Sequence, residues 1–249
     1  MVEPEDRDDR PRRSDVRDTY DRIATHFAST RAYAWPEVES FVTARAGEHD
    51  SSSGGDAADF GADEPTASVG LDVGCGNCRH AELLATTTDL ETVVGLDVSA
   101  GLLETARERA REKGFSVGLV QGDASTLPLA DDVVSLAVYV ATLHHLPTRE
   151  TRRASLDELA RVLASDGRGL VSAWSTAHDA FDETEGFDTT VDWTLPGGET
   201  VDRFYHIYAP EEFEADLAAS DLELLEWELS SGNCYATVAG SRPRSADRS

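Results

Sequence analysis

From Val69 onward, short apolar runs alternate with amphipathic stretches. The apolar runs predict strands near 69–73, 92–98, 116–121, 133–140 and 167–174, and the stretches between them predict helices near 78–86, 99–113 and 149–163. Val133-Val134-Ser135-Leu136-Ala137-Val138-Tyr139-Val140 is almost continuously apolar, as expected of a strand covered on both faces. Leu156, Leu159, Val162 and Leu163 share one helical face, and that helix should end toward Gly167. Its Arg149 and Arg152 are expected on a solvated face. Regular alternation of strand and helix predicts an α/β, doubly wound, mostly parallel sheet. Upstream, Val16, Tyr20, Ile23 and Phe27 recur at helical spacing from Ser14. Trp35-Pro36 then breaks the chain and opens a second helix through Val38, Phe41 and Val42. Downstream, Pro210-Glu211-Glu212 reads as a helix start, and Leu222–Ser230 with Cys234–Gly240 reads as a closing hairpin around Gly232.

This pattern divides the chain. Residues 1–13 form a charged, disordered arm and residues 14–46 the N-terminal helices. Residues 47–68, with six acids and no Lys or Arg, form a flexible insertion. Residues 69–240 are the core, with 175–209 as a cap upon it, and 241–249 form a flexible tail.

Composition changes the picture in two ways. The chain has 249 residues and a formal charge of -26, from 48 acids against 22 bases, and Lys113 is its single lysine. Such a surface resembles proteins of a salt-loaded cytoplasm. It excludes broad electrostatic attraction to nucleic acid, because molar salt shortens the Debye length to about 3 Å and leaves little to gain from counterion release. Any RNA contact must then rest on a few arginines and aromatics. There is no apolar run near the ~20 residues of a membrane span and no signal peptide, so a cytoplasmic location is expected. Cys75 and Cys78 have CxxC spacing, but Cys234 is the one remaining thiol, so no metal is expected.

The candidate chemistry lies at the strand ends. In Val69-Gly70-Leu71-Asp72-Val73-Gly74-Cys75-Gly76-Asn77-Cys78-Arg79, a strand runs through Asp72 into a glycine turn and then a helix. Glycines at 74 and 76 allow a sharp turn and the close approach of a ligand. Asp97 ends the second strand, where it can accept ribose hydroxyls, and Asp123 ends the third, where it can meet an adenine amino group. A dinucleotide site starts similarly. Together, Asp72, Gly74, Gly76, Asp97 and Asp123, flanked by Asn77, Val98 and Ala124, resemble the S-adenosylmethionine site of a class I methyltransferase. The third glycine usual in that turn is Cys78 here.

Further blocks narrow the resemblance. Tyr20-Asp21-Arg22-Ile23-Ala24-Thr25-His26-Phe27-Ala28-Ser29-Thr30-Arg31, followed by Trp35-Pro36, resembles the start of the tRNA methyltransferases that esterify carboxymethyluridine at the wobble position. So do His144-His145-Leu146-Pro147, Leu195-Pro196 and Arg203-Phe204-Tyr205-His206-Ile207-Tyr208. The resemblance implies a seven-stranded class I sheet with N-terminal helices and a small substrate cap. It implies substrate contacts from Arg31, His144, His145, Asp188, Trp193, Arg203, Tyr205 and His206. It also implies tRNA as substrate and a small zinc-binding activator subunit as partner, pairing with the edge strand Phe115–Gln121. The chain departs from the family at Ser135, where aspartate is usual, at Asp192, where proline is usual, and in a shorter stretch before Arg203. Two other readings stand beside this one, a methyltransferase acting on a small metabolite and a non-catalytic binding subunit. A carboxylate acceptor is ionised at neutral pH, so no catalytic base is required, and Arg31 and Arg203 are the expected carboxylate holders.

Overall fold

The structure, a computed structural model, describes residues 11–50 and 68–240. The first ten residues of the expected arm, residues 51–67 of the insertion and the tail 241–249 lie outside it. Two helices come first, α1 (Arg13–Ser29) and α2 (Pro36–Asp50). Strands and helices then alternate: β1 (Val69–Val73), α3 (Arg79–Thr87), β2 (Thr92–Asp97), α4 (Ala100–Lys113), β3 (Gly118–Gln121), β4 (Val134–Val140), α5 (Arg149–Val162) and β5 (Leu163–Trp174). A hairpin follows, β6 (Phe187–Thr194) with β7 (Thr200–Ile207). The chain closes with α6 (Pro210–Ala219), β8 (Glu223–Ser230) and β9 (Asn233–Ala239).

Seven strands form one sheet in the order β3-β2-β1-β4-β5-β9-β8, with the first five parallel and β9 antiparallel to both its neighbours. The order reverses between β1 and β4, and ligands of such sheets bind at the carboxyl ends beside that switch point. Each sheet face has its own core. Tyr139, Leu156, Leu159 and Phe213 lie on the side of α5 and α6, and Val38, Leu84, Leu103 and Val138 on the side of α2, α3 and α4. A third, smaller core joins Tyr20, Ile23 and Ala24 of α1 to Leu102 of α4 and Val201 of β7. It lays α1 and the β6–β7 hairpin over the carboxyl ends of the strands. Asp21 of α1 fixes this arrangement, accepting from Ser99 Oγ at 2.6 Å and Gly101 N at 2.9 Å at the start of α4.

Several expectations shift. The helix begins at Arg13, so that residue is not part of an arm, and α2 runs on to Asp50. There is no connection between α5 and β5: Val162 ends the helix and Leu163 already pairs with Val134. The register then slips, and Leu136 faces Arg168. Gly167 allows this, because a Cβ there would lie 2.5 Å from the Val134 carbonyl oxygen. Arg152 is not solvated but buried, its guanidinium 5.3 Å from the Tyr208 ring. Arg149 and Arg153 each donate at 2.8 Å to the fully buried Asp216 of α6. Ser135 is the second residue of β4, at the end of the strand away from the glycine turn, and Asp192 faces outward from β6.

Cys78 adopts φ 60° and ψ 30°, left-handed geometry that favours glycine and is strained for a residue with a side chain. Its side chain is nonetheless fully buried. Gly95 of β2 makes the room: a Cβ there would lie 2.8 Å from Cys78 Sγ and 3.0 Å from Cys75 Sγ. The missing glycine of the turn is thus answered by a glycine on the neighbouring strand. Gly95→Ala should therefore cost about 1–3 kcal/mol of stability in denaturant unfolding, as overpacking does. Cys78→Gly should recover most of that loss in the double variant, whereas two independent, additive losses would refute the coupling.

Candidate active site

The turn after β1 carries the first half of the site. Gly74 has φ +70°, and a Cβ there would collide with Thr142 Oγ1 at 2.2 Å. Gly76 has φ +54° and faces open space, so the backbone is bare where a ligand lies against it. Gly76 N donates to Asp97 Oδ2 at 2.9 Å, and Ser99 N donates to Asp97 Oδ1 at 2.9 Å. A cavity of about 110 Å³ opens beside this joint, lined by Asp97, Val98, Leu102, Asp123 and Ala124 and roofed by α1. Buried carboxylate, bare turn and apolar walls suit the ribose and adenine of S-adenosylmethionine. Gly74, Gly76, Asp97, Val98, Asp123 and Ala124 would hold them. Asp123 Oδ2 accepts from Arg13 Nη1 at 2.6 Å, which places an unforeseen cation at the adenine end.

Two expected cofactor residues do something else. Asp72 lines neither cavity at this site. It lies under the turn and accepts from Ala81 N at 3.0 Å, capping α3, and burial pushes its carboxyl up to about 7. Asn77 does line the second of these cavities, while its side chain donates to the carbonyls of Ala28 and Arg31 at 3.2 and 2.8 Å and so also grips the α1–α2 loop. Arg109 of α4 holds the same loop through Ala32 O at 2.7 Å.

A second cavity, of about 260 Å³, shares Gly74, Gly76, Thr142 and His145 with the first. Arg31, Arg79, His144 and Tyr205 line it, and none of its described lining residues is Asp or Glu. Arg31 lies 4.6 Å from the Phe27 ring and 5.6 Å from that of Trp193. Burial lowers its pKa, as the nearby Arg203 also does. Arg203 itself lines neither cavity. It is buried behind Tyr205, donating to the phenol oxygen at 2.7 Å, and its Nε has no partner. Sequence reasoning missed Arg79 altogether; its one signal was a cation directly following the turn.

The two histidines of the segment after β4 are both neutral, because burial drives His145 down to about 3 and His144 well below its ordinary value. Their nitrogens are assigned by their partners. His145 Nδ1 donates to Phe204 O at 2.9 Å, and Tyr20 Oη donates to its Nε2 at 2.8 Å. Trp174 N donates to His144 Nδ1 at 2.9 Å, so His144 carries its proton on Nε2. His178, also at the cavity, accepts from Ala180 N at 3.0 Å through Nδ1. These three rings keep no lone pair free to act as a base. The fourth histidine of the lining, His80, has an unpartnered Nε2, but burial drives it down to about 3 and leaves it too weak a base for an amine or hydroxyl acceptor. The other predicted substrate residues line neither cavity. His206 bridges Asp188 at 2.7 Å and Glu212 at 3.1 Å, tying the hairpin to α6. Trp193 donates to His26 Nδ1 at 3.1 Å and walls Arg31 and Arg203.

Burial raises the Asp97 carboxyl to about 6, against the hydrogen bonds from Ser99 and Gly76 that lower it. A folded-state pKa above the ordinary value means that Asp97 stabilises the free protein below about pH 4, and that this contribution is lost as pH rises through 6. Ribose hydroxyls favour the ionised form, so the sign for the cofactor is opposite. Affinity for S-adenosylmethionine should be greatest above pH 6 and fall by up to about tenfold per unit below it. Asp97→Ala should cost about 1–3 kcal/mol of binding at neutral pH and flatten this profile in calorimetry. A folded variant with unchanged affinity would remove Asp97 from the site.

Comparison with known proteins agrees with this geometry. Residues 71–171 match the family model of the methyltransferase domain. The tRNA (carboxymethyluridine(34)-5-O)-methyltransferase of Saccharomyces cerevisiae is 30% identical over 187 residues, which cover 73% of this chain and 57% of the yeast protein. The chain spans 33% of the Arabidopsis thaliana protein of the same name. Among solved structures, an S-adenosylmethionine-dependent methyltransferase from Clostridium acetobutylicum aligns with TM-score 0.64 at 14% identity, covering 90% of this chain and 99% of that one. The putative methyltransferase solved in complex with the Haloferax volcanii Trm112 activator aligns with TM-score 0.60 at 13% identity, covering 91% and 98%. At such identities the likeness shows the fold alone. With the glycine turn and the β1–β4 switch point in register with the matched segment, the chain carries a methyltransferase domain on a doubly wound α/β sheet and, in sequence, resembles the tRNA carboxymethyluridine(34) methyltransferases.

Proposed function

We propose that this chain methylates the carboxylate of carboxymethyluridine at the tRNA wobble position, giving the methyl ester. One observation carries the reading: the described lining of the second cavity offers cations and hydrogen-bond donors, no carboxylate, and no effective base, since His144, His145 and His178 keep no free lone pair and burial drives His80 down to about 3. An amine or hydroxyl acceptor must lose a proton and would need such a base, whereas a carboxylate is already ionised. The yeast and plant proteins of that name support the choice of acceptor.

S-adenosylmethionine, when bound, supplies a methyl group already activated on sulfur. The protein's task is then alignment. Arg31 holds the acceptor carboxylate, pre-ordered by its stack on Phe27 and Trp193 and by the grip of Asn77 and Arg109 on its loop. Arg203 works through Tyr205: its donation to the phenol oxygen leaves the phenol hydrogen to point at the acceptor. His144 Nε2–H is a further donor. The 187–207 hairpin serves as the substrate cap and keeps water out, with Asp188 and His206 anchoring it to α6.

In single-turnover assays with tRNA from cells lacking this protein, the rate should be nearly flat from neutral to mildly alkaline pH. Arg31→Gln should lower turnover by about tenfold to a hundredfold. A rate rising tenfold per pH unit through neutrality, or full activity in Arg31→Gln, would defeat the esterification reading. Transfer to a small-molecule fraction and not to tRNA would favour a metabolite substrate.

The acidic, lysine-poor composition supports a salt-loaded cytoplasm as the working environment, and among the described residues no helix is long and apolar enough to cross a membrane. β3 ends the sheet order, so one side of its backbone lacks a strand partner among the described residues. A small activator subunit adding a strand there fits that edge, and the Haloferax volcanii protein of the same fold is one solved in complex with a methyltransferase activator. Val117 lies one residue before the strand, so the edge itself is Gly118–Gln121. In a one-to-one complex, amides of Gly118–Gln121 should exchange hydrogen more slowly than in the free chain. Unchanged exchange in a formed complex would place the contact elsewhere.

A further inference from the structure

The second cavity holds more positive charge than an acceptor carboxylate alone requires. In a chain carrying 48 acids, it is lined by Arg31 and Arg79 and by no described Asp or Glu, and neither arginine forms an ion pair among the described residues. Two desolvated cations that repel each other cost stability unless anions compensate them in the working complex. Each feels the burial: the Arg79 guanidinium is pushed down to about 10, first by desolvation and then by Arg31, against the attraction of Asp72, which lies too far for an ion pair.

The two cations face different parts of the cavity. Arg31 leans on Phe27 and on Trp193 of the hairpin, toward the cap. Arg79 is the first residue of α3, directly after Gly76-Asn77-Cys78, and its guanidinium stacks 5.2 Å from the Trp35 ring. That places it on the side of the bare backbone turn. The α3 N-terminus adds to the positive field there: its cap residue, Cys78, offers no side-chain acceptor, and Asp72 satisfies one of the free amides, that of Ala81. A ligand lying along the turn with its nucleoside in the first cavity would bring its amino-acid end into the second.

We infer that Arg79 is a cofactor-positioning residue that holds the carboxylate of the amino-acid tail of S-adenosylmethionine, while Arg31 is left for the acceptor. The two anions of the reacting complex are thereby divided between two arginines, one stacked on Phe27 and Trp193 and the other on Trp35. This rests on the cofactor reading above and, for the division of labour, on an anionic acceptor.

The test uses the full chain, calorimetry in high-salt buffer, and two ligands that differ in the tail: S-adenosylmethionine and 5′-methylthioadenosine. Arg79→Gln should weaken S-adenosylmethionine at least tenfold and leave 5′-methylthioadenosine within twofold. Arg31→Gln should change both by less than threefold. Should Arg79→Gln prove unstable, Arg79→Lys keeps the charge but not the fork, and its smaller loss should again be confined to the ligand with the tail. Equal losses for both ligands would mean that Arg79 merely supports the turn, and unchanged affinity would exclude any contact. A tail-specific loss in Arg31→Gln instead would exchange the two roles. Each of these three outcomes overturns the assignment. No tRNA enters the measurement, so its result is independent of whether the acceptor has been identified correctly.

Discussion

The hydrogen bond from Gly76 N to the Asp97 carboxylate is the joint on which this molecule is built. It ties the turn after β1 to the end of β2, and it needs a carboxylate in a place where burial opposes charge. Every nearby feature follows from accommodating it. Gly74 must lack a side chain to pass Thr142, Gly95 must lack one to admit the two thiols, and Asp72 must lie beneath the turn to steady the first amides of α3. Helix α1 then closes over the result, pinned by Asp21 on the start of α4.

Charge is sorted with equal strictness. Carboxylates crowd the chain as a whole, yet the described lining of the second cavity has none. Where acids do meet arginines in the interior, they build scaffold: Asp216 gathers Arg149 and Arg153, and Glu212 and Asp188 bracket His206. Arg31 and Arg79, which line the second cavity, have no ion pair among the described residues. In a protein with so much negative charge, an unpaired buried cation says more than a paired one, because a partner was cheap to provide.

Much of the fold was legible because strand and helix periods are physical signals. The parallel strands, the crossover helices and the edge position of β3 could all be read from apolar spacing and family resemblance. The direct passage from α5 into β5 could not, since it depends on Gly167 meeting a carbonyl from a distant strand. The β6–β7 hairpin hid in a region read through its motifs and not through its alternation. In the site, residues whose role is set by backbone position, such as Gly74, Gly76 and Asp97, were placed directly. Residues whose role depends on where a long side chain reaches were not. Arg203 and His206 carry the right motif but line neither cavity, and Arg79, which ends the turn motif and had no role read from it, lines the second. Sequence spacing fixes which face a residue occupies, while the rotamer and the neighbouring element decide what it touches.

Asn77 belongs to the cofactor turn by sequence, but its amide grips the backbone of the loop that bears Arg31. The two half-sites are therefore parts of one rigid body and not separately adjustable modules. Any drift in the turn is transmitted to the wall that faces the acceptor. A lineage could not reshape this turn for a different cofactor pose without also re-aiming Arg31. The β6–β7 hairpin lines none of the first cavity, so it is the element free to vary with the acceptor, and the departures at Asp192 and in the shortened stretch before Arg203 both fall within it.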